Sequence, residues 1–105
     1  MADTKKNPAL CPVEKTLSII GKKYAVLIIR DLLTGKKRFG QLLSSLEGIS
    51  PRTLSARLDE LEKDHILRKK IFPVVPLHVE YSLTKRGTAL HNILDQMSKW
   101  GAQKK

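Results

Sequence analysis

The sequence predicts a mainly helical domain with one small β-hairpin, an α+β fold, and three observations support this class. Apolar residues recur at helical spacing through most of the segment before residue 65. Two short runs rich in alternating apolar residues then flank a proline-containing loop over residues 73–78. The helical period returns after residue 84. With 105 residues, the chain has the size of one domain.

Two helices are predicted at the start of this pattern. A proline opens the first, and Val13, Leu17 and Ile20 follow at helical spacing until Gly21. The next segment, residues 24–33, is apolar around most of its circumference. Because such a helix has no face suited to water, it is predicted to be the buried central helix.

The next two segments have the form of a helix-turn-helix. Residues 39–46 give a short amphipathic helix, and residues 47–49 include a glycine and form a tight connection. Ser50 and Pro51 are a strong helix start, because serine caps exposed N–H groups and proline fits the first helical position. Three leucines then give this helix a narrow apolar stripe, and the helix is predicted to run to about Asp64.

A hairpin and a last helix complete the predicted fold. Residues 67–72 and 79–83 are predicted strands, joined by the loop over residues 73–78. Thr84 is predicted to cap the last helix, whose apolar stripe consists of Leu90, Ile93, Leu94, Met97 and Trp100. A hairpin that directly follows a helix-turn-helix has the position of a wing. The predicted architecture is therefore a winged helix-turn-helix.

The helix that begins at Ser50 is basic at its exposed start and acidic at its end. On a helical wheel, Arg52 and Ala56 point directly away from the leucine stripe. Helices that read the major groove of DNA do so with their N-terminal residues, and arginine pairs bidentately with guanine. We therefore expect this helix to contact bases in double-stranded DNA through Ser50, Arg52, Thr53, Ser55, Ala56 and Arg57.

The net charge is +10, which favours an acidic partner such as DNA, RNA or an anionic membrane surface. Basic residues cluster at the ends of elements and on the hairpin, where cations contact phosphates without reading sequence. The residues expected to contact the DNA backbone in this way are Lys36, Lys37, Arg38, Lys69 and Lys70. The alternative is that these side chains are only solvated surface charges.

Other features limit the classes of protein. The single cysteine, Cys11, excludes a disulfide within the chain and favours a reducing cytoplasm. No apolar run reaches the roughly 20 residues of a membrane span. Residues 1–10 are predicted to form a flexible basic arm, which precedes a DNA-binding domain with dimerisation helices over residues 11–105.

Enzymes and metal proteins are not favoured either. The histidines His65, His78 and His91 lie on separate elements, so no metal site is expected. The sequence contains no phosphate-binding glycine loop and no nucleophile elbow, so neither catalysis nor a cofactor is predicted.

Several motifs follow one another in a fixed order between residues 11 and 101. They include Cys11-Pro12-Val13-Glu14, Arg30-Asp31-Leu32-Leu33, Arg38-Phe39-Gly40-Gln41-Leu42, Gly48-Ile49-Ser50-Pro51-Arg52-Thr53-Leu54, Val79-Glu80-Tyr81-Ser82-Leu83-Thr84 and Trp100-Gly101. In this order and spacing the chain resembles the HxlR family of bacterial and archaeal winged helix-turn-helix regulators. The resemblance implies a transcriptional regulator that binds a specific double-stranded DNA sequence. The alternative is a winged-helix module that binds protein without specific DNA binding.

The resemblance also implies a homodimer that binds a pseudo-palindromic operator. In the family, the first and last helices pack against those of a second subunit, and the residues suited to this role are Val13, Leu17, Ile20, Leu90, Ile93, Leu94, Met97 and Trp100. Their alternative role is in the chain's own core. His78 is also among the expected backbone contacts. The family often carries arginine at this position, and the tip of the hairpin here is poor in cations, so the helix that begins at Ser50 is expected to carry most of the sequence recognition.

Cys11 is a candidate sensor residue. It directly precedes the first helix, where peptide N–H groups and the helix dipole stabilise a thiolate. Some members of the resembled family sense oxidants or quinones through a cysteine at this position, which implies an oxidant or small-molecule effector. The alternative is that Cys11 is a small apolar packing residue.

Overall fold

The computed structural model describes residues 11–103 as a mainly helical fold with a small antiparallel sheet, which confirms the predicted class. The elements along the chain are α1 Pro12–Ile20, α2 Ala25–Leu32, β1 Lys37–Arg38, α3 Phe39–Ser45, α4 Pro51–Lys63, β2 Leu67–Phe72, β3 His78–Leu83, α5 Lys85–Thr88 and α6 His91–Ala102. The predicted basic arm, residues 1–10, lies outside the described residues.

The sheet has the strand order β1-β3-β2, and both pairings are antiparallel. The hairpin β2–β3 is the wing that the sequence predicts. The sequence does not predict β1, because a strand of two residues carries no alternation to detect. Its residues Lys37 and Arg38 lie opposite Tyr81 and Glu80 of β3. Through β1 the wing is joined to the start of α3.

The core lies between α2, the helix-turn-helix and the inner face of the sheet. Ile28 and Ile29 of α2 are fully buried, as predicted for the central helix. The leucine stripe of α4 is also buried, with Leu54, Leu58 and Leu61 between 0% and 2% exposed. This stripe fixes which face of α4 can meet a ligand, because the residues opposite it point into solvent.

Ser50 caps α4 as the sequence predicts. Its hydroxyl oxygen accepts a hydrogen bond from the backbone N–H of Thr53 at 3.1 Å. At the other end, the helix stops at Asp64, and His65 takes a left-handed conformation with φ 61°. This conformation reverses the chain and directs it into β2.

The single last helix of the prediction is divided into α5 and α6. Thr84 caps α5, accepting from the N–H of Gly87 at 3.1 Å and donating to the carbonyl of His65 at 2.6 Å. A Cβ atom on Gly87 would lie 2.1 Å from the carbonyl oxygen of Ile66. Hence α5 packs directly on the backbone that leaves α4.

The predicted dimer residues divide into two groups. Ile20 and Leu94 belong to the chain's own core, and Leu90 is half-buried against it. These three residues therefore take the alternative role that the sequence left open, in the chain's own core. The remaining residues are exposed, namely Val13, Leu17, Ile93, Met97 and Trp100.

None of the helices in the described part of the chain combines the length and the hydropathy needed to cross a membrane. Within residues 11–103, no group of three or more histidine, cysteine, aspartate or glutamate side chains is placed to hold a metal ion.

Candidate nucleic-acid interface

The exposed start of α4 is formed by residues that the helix cap and the leucine stripe hold in place. Arg52, Ser55 and Ala56 are exposed on the side of α4 away from the core. Among the described residues, Arg52 has no ion-pair partner, so its guanidinium is available to a ligand. The Ser50 hydroxyl donates to the Thr53 hydroxyl at 3.0 Å. Ser50 and Thr53 therefore stabilise the start of α4 and also lie at the edge of its exposed surface.

Arg57 has a different environment from the one its position on the wheel predicts. Its Nε–H donates to the carbonyl oxygen of Lys23 at 3.0 Å, and its guanidinium lies 3.3 Å from a Glu60 carboxylate oxygen. The side chain is only 23% exposed. This geometry favours a positioning role for Arg57 over the direct DNA contact predicted from the sequence.

Besides Arg57, Glu60 pairs with a lysine of the loop that contains Lys23. Its other carboxylate oxygen lies 3.2 Å from Nζ of Lys22, in the connection between α1 and α2. Two cations thus offset a carboxylate on the helix that carries the candidate base contacts. The sequence gives no signal for this cluster, because Lys23 and Arg57 are 34 residues apart and follow no shared pattern.

The acidic end of α4 faces the sheet. Burial raises the pKa of the Tyr81 hydroxyl above 10.0, and the negative charges of Asp59 and Glu62 raise this pKa further. Nζ of Lys69 lies 3.9 Å from a Glu62 carboxylate oxygen. Lys69 is therefore drawn toward α4. The Asp59 and Glu62 carboxylates therefore lie on the side of α4 that is next to the sheet.

The basic junction before α3 is partly neutralised within the chain. Nζ of Lys36 lies 3.6 Å from a Glu80 carboxylate oxygen, and Nζ of Lys37 donates to the Asp31 carbonyl oxygen at 3.2 Å. Arg38 is exposed and borders an open depression whose other lining residues are Gly40, Gln41, Ser44 and Ser45. Of the three predicted phosphate contacts here, Arg38 is therefore the one best placed for a ligand.

On the wing, His78 is engaged by its neighbours. Its ring stacks on Phe72 with centroids 4.5 Å apart, and its Nε2 lies 3.7 Å from a Glu80 carboxylate oxygen. Nζ of Lys70 lies 5.1 Å from the centroid of the Phe72 ring, and Lys70 is exposed. Arg68, which belongs to the same basic cluster of the sequence as Lys69 and Lys70, is also exposed on β2.

Comparison with known proteins identifies the same family as the sequence motifs do. A family model described as HxlR-like helix-turn-helix matches residues 19–105. YvaP of Bacillus subtilis, an uncharacterised HTH-type transcriptional regulator, is 40% identical over 95 residues, which cover 90% of this chain and 88% of YvaP.

Solved structures agree with the sequence comparison. The redox regulator HypR in its oxidised form superposes with a TM-score of 0.83 at 40% identity, covering 90% of this chain and 98% of HypR. The reduced form of the transcriptional regulator YodB from B. subtilis gives a TM-score of 0.80 at 38% identity, covering 89% of this chain and 92% of YodB. A structure of YodB treated with diamide is also similar, with a TM-score of 0.76. The chain therefore belongs to the HxlR-like helix-turn-helix family and is a DNA-binding transcriptional regulator.

Proposed function

We propose that the chain regulates transcription as a homodimer that binds a pseudo-palindromic operator with sequence specificity. The observation that carries this proposal is an apolar surface on the two terminal helices. Val13, Leu17 and Trp100 are 65%, 55% and 75% exposed, and Ile93 and Met97 are more than two-fifths exposed. Large exposed apolar patches mark interaction sites, because their contact with water is unfavourable.

We infer that the exposed apolar residues of the two helices belong to one interface. A groove lies between α1 and α6, and its walls include Ile19 and Ile20 from α1, Leu90 just before α6 and Ile93 of α6. We define the dimer face as the five exposed residues Val13, Leu17, Ile93, Met97 and Trp100. A second copy of the chain, related by a two-fold axis, would cover this face with the same residues.

A two-fold dimer explains how a domain with one short recognition helix reads a long site. The two α4 helices would enter successive major grooves about 34 Å apart, and the operator would consist of two inverted half-sites. In this arrangement Arg52, Ser55 and Ala56 face the bases. Arg38 and Lys70 contact phosphates, and Arg57 holds α4 in position. A monomer of the same domain would present only one such helix to the DNA.

Sedimentation equilibrium tests the dimer face. The Leu17→Asp and Met97→Asp variants each place a charge in the face, so we expect both to sediment as monomers and to lose affinity for the operator. Leu77→Asp is the matched control for oligomeric state, since Leu77 is 66% exposed but lies on the wing. Dimers of unchanged stability in both face variants would contradict the proposal.

We further propose that oxidation of Cys11 regulates DNA binding. The thiol is exposed at the start of α1, the helix that carries Val13 and Leu17 of the dimer face. Pairing of the two α1 helices would bring the two Cys11 thiols together near the two-fold axis. Both relatives described above support a redox role, since HypR is a redox regulator and YodB has been studied after treatment with diamide.

The chemistry needs two thiols and a two-electron oxidant. Diamide accepts two electrons and two protons and becomes the hydrazine, while the two Cys11 sulfur atoms form one intersubunit disulfide. We expect diamide to give a covalent dimer on a non-reducing gel and to change the operator affinity of the wild type. Cys11→Ser is the control and should give neither effect. An equal response of wild type and Cys11→Ser would contradict a role for this thiol.

A further inference from the structure

The groove between α1 and α6 has the size and lining of a site for a small organic molecule. Its volume is about 170 Å³. Pockets for drug-sized ligands measure roughly 300–1,000 Å³, so this groove suits a molecule with a single ring. Four isoleucines, Ala89 and Leu90 form its apolar walls, and Thr16 and Arg86 are its polar residues.

The apolar walls of the groove are recessed from solvent. Ile20 and Ile66 are 6% and 1% exposed, and Ile19 and Leu90 are half-buried. The dimer face, in contrast, consists of exposed side chains, and it shares only Ile93 with the groove. A concave site with apolar walls and a few polar groups is the usual form of a small-molecule site, whereas a partner helix needs an exposed apolar face.

Arg86 indicates the charge of the ligand. It is exposed on α5 directly after Lys85, and among the described residues it has no ion-pair partner. A second copy of the chain that covered the groove with apolar side chains would bury this charge unpaired, which is unfavourable. A carboxylate avoids that cost, because a guanidinium pairs with it through two parallel hydrogen bonds.

Thr16 indicates the orientation of the ligand. Its hydroxyl donates to the carbonyl oxygen of Pro12 at 3.1 Å, so its proton is already used within α1. A carboxylate placed beside Thr16 would therefore meet an oxygen without a free donor, whereas Arg86 supplies several donors. The carboxylate is expected at Arg86, and the ring is expected among the isoleucines, where its apolar surface leaves water.

Ile66 connects the groove to the recognition helix. Its N–H donates to the carbonyl oxygen of Leu61 in α4 at 2.9 Å, and its own carbonyl oxygen accepts from the N–H of Thr84 at 3.0 Å. A ligand in the groove would thus contact α1 and α6, which carry the dimer face, and also the residue bonded to the end of α4. A ligand whose affinity depends on the arrangement of these parts changes DNA binding by linkage.

We propose that the groove between α1 and α6 binds an aromatic monocarboxylate with a single ring, and that its occupancy changes the affinity for the operator. Arg86 pairs with the carboxylate, and Ile19, Ile66 and Ile93 contact the ring. The effect on the operator rests on the proposed dimer and its DNA binding. Binding of the ligand does not, so the two are measured separately.

Isoleucine methyl signals in NMR spectra of the full chain locate the site, with benzoate as the probe and benzamide as its uncharged analogue. We expect benzoate to shift the signals of Ile19, Ile66 and Ile93 and to leave that of Ile71, which is 55% exposed on the wing. Benzamide should bind about tenfold more weakly, because it lacks the charge-assisted pair. Shifts at Ile71 without shifts in the groove, or equal affinities for the two compounds, would overturn the proposal.

Two glutamine variants test the role of Arg86. Arg86→Gln should lose the preference for benzoate over benzamide and keep the fold, because the residue is exposed. Lys85→Gln removes the same charge from the neighbouring residue, which does not line the groove, and should keep the preference. An equal loss of preference in both variants would reduce the effect to general charge attraction and overturn the pairing with Arg86.

The last measurements separate the ligand from the partner subunit and from the operator. Groove shifts seen only in Met97→Asp, the variant expected to be monomeric, would assign the groove to the partner subunit and overturn the proposal. Saturating benzoate should change the operator affinity of the wild type about fivefold or more, and Arg86→Gln should not respond at that concentration. Unchanged wild-type affinity despite groove shifts would overturn the effector role alone. Absence of operator binding without benzoate would instead overturn the proposed function.

Discussion

Arg57 on α4 donates from Nε to the backbone carbonyl oxygen of Lys23, 3.0 Å away, and so ties the recognition helix to the loop that leaves α1. The same guanidinium contacts Glu60, which also receives Lys22 from this loop. α1 carries part of the dimer face, and α4 carries the candidate base contacts. The tie therefore connects α4 to the loop that follows the helix proposed to pair across the two-fold axis.

Replacing Arg57 with lysine should loosen this tie. Lysine has no Nε–H and cannot bond both the Lys23 carbonyl and Glu60 in the same geometry. We expect Arg57→Lys to lower the free energy of unfolding by about 0.5–1.5 kcal/mol in urea denaturation. In this variant, affinity for the operator and affinity for each base-substituted operator should fall by the same factor, because Arg57 positions the helix.

Arg52→Lys is the matched control for that variant. Arg52 is exposed on the same helix, so its change to lysine should alter stability by less than about 0.5 kcal/mol. Equal stability of the wild type and Arg57→Lys would show that the Lys23 contact contributes nothing to the fold.

Gly87 tests the packing of α5 against the chain that leaves α4. In Gly87→Ala the new Cβ would meet the Ile66 carbonyl oxygen at 2.1 Å, and the backbone would have to shift. We expect a loss of about 1–3 kcal/mol in the free energy of unfolding. Gly101→Ala is the control, because a Cβ there meets no atom within 4 Å and alanine favours the helix. A Gly87→Ala variant as stable as Gly101→Ala would refute the close approach.

Tyr81 should make stability fall at alkaline pH. Its pKa is raised in the folded state by burial and by Asp59 and Glu62, so the folded chain keeps a proton that the unfolded chain releases above 10.0. The stabilisation is complete below that pH and is lost as pH rises through the folded-state pKa. Denaturation midpoints at about pH 9 and about pH 11 should therefore differ more in the wild type than in Tyr81→Phe. Identical differences would contradict this coupling.

Lys70 should contribute to affinity without contributing to sequence preference. If its ammonium meets a phosphate, Lys70→Ala weakens binding evenly across duplexes and reduces the salt dependence of log K by about one counterion. Lys99→Ala is the control, since Lys99 lies on α6 and pairs with Asp95 at 3.3 Å. A loss confined to particular base substitutions would contradict a phosphate contact for Lys70.

The fold was predictable where its signals are local. Ser50 and Pro51 define the start of α4, and the observed helix differs little from the predicted one because capping and the leucine period act within a few residues. The strand over residues 67–72 was likewise predicted with its observed bounds.

The parts that were not predictable depend on contacts between distant segments. β1 depends on the pairing of Lys37 and Arg38 with β3, and the close approach of Gly87 to the Ile66 carbonyl joins two segments that are distant in the sequence. The outward face of α4 was predictable from the wheel, but the engagement of Arg57 by the Lys23 carbonyl was not. A helical wheel shows in which direction a side chain points, but it does not show which other segment of the chain lies in that direction.

Reading of bases by the start of α4 is tested most directly by selecting bound duplexes from a random pool with the wild type and with Arg52→Ala. The wild type should enrich two inverted half-sites with centres about 34 Å apart, each with a guanine at a fixed position. Arg52→Ala should lose the preference at that position, with a loss of about 1–3 kcal/mol on the wild-type site, and keep the other positions. The same selected sequence for both proteins, or no enrichment by the wild type, would contradict this role for the helix.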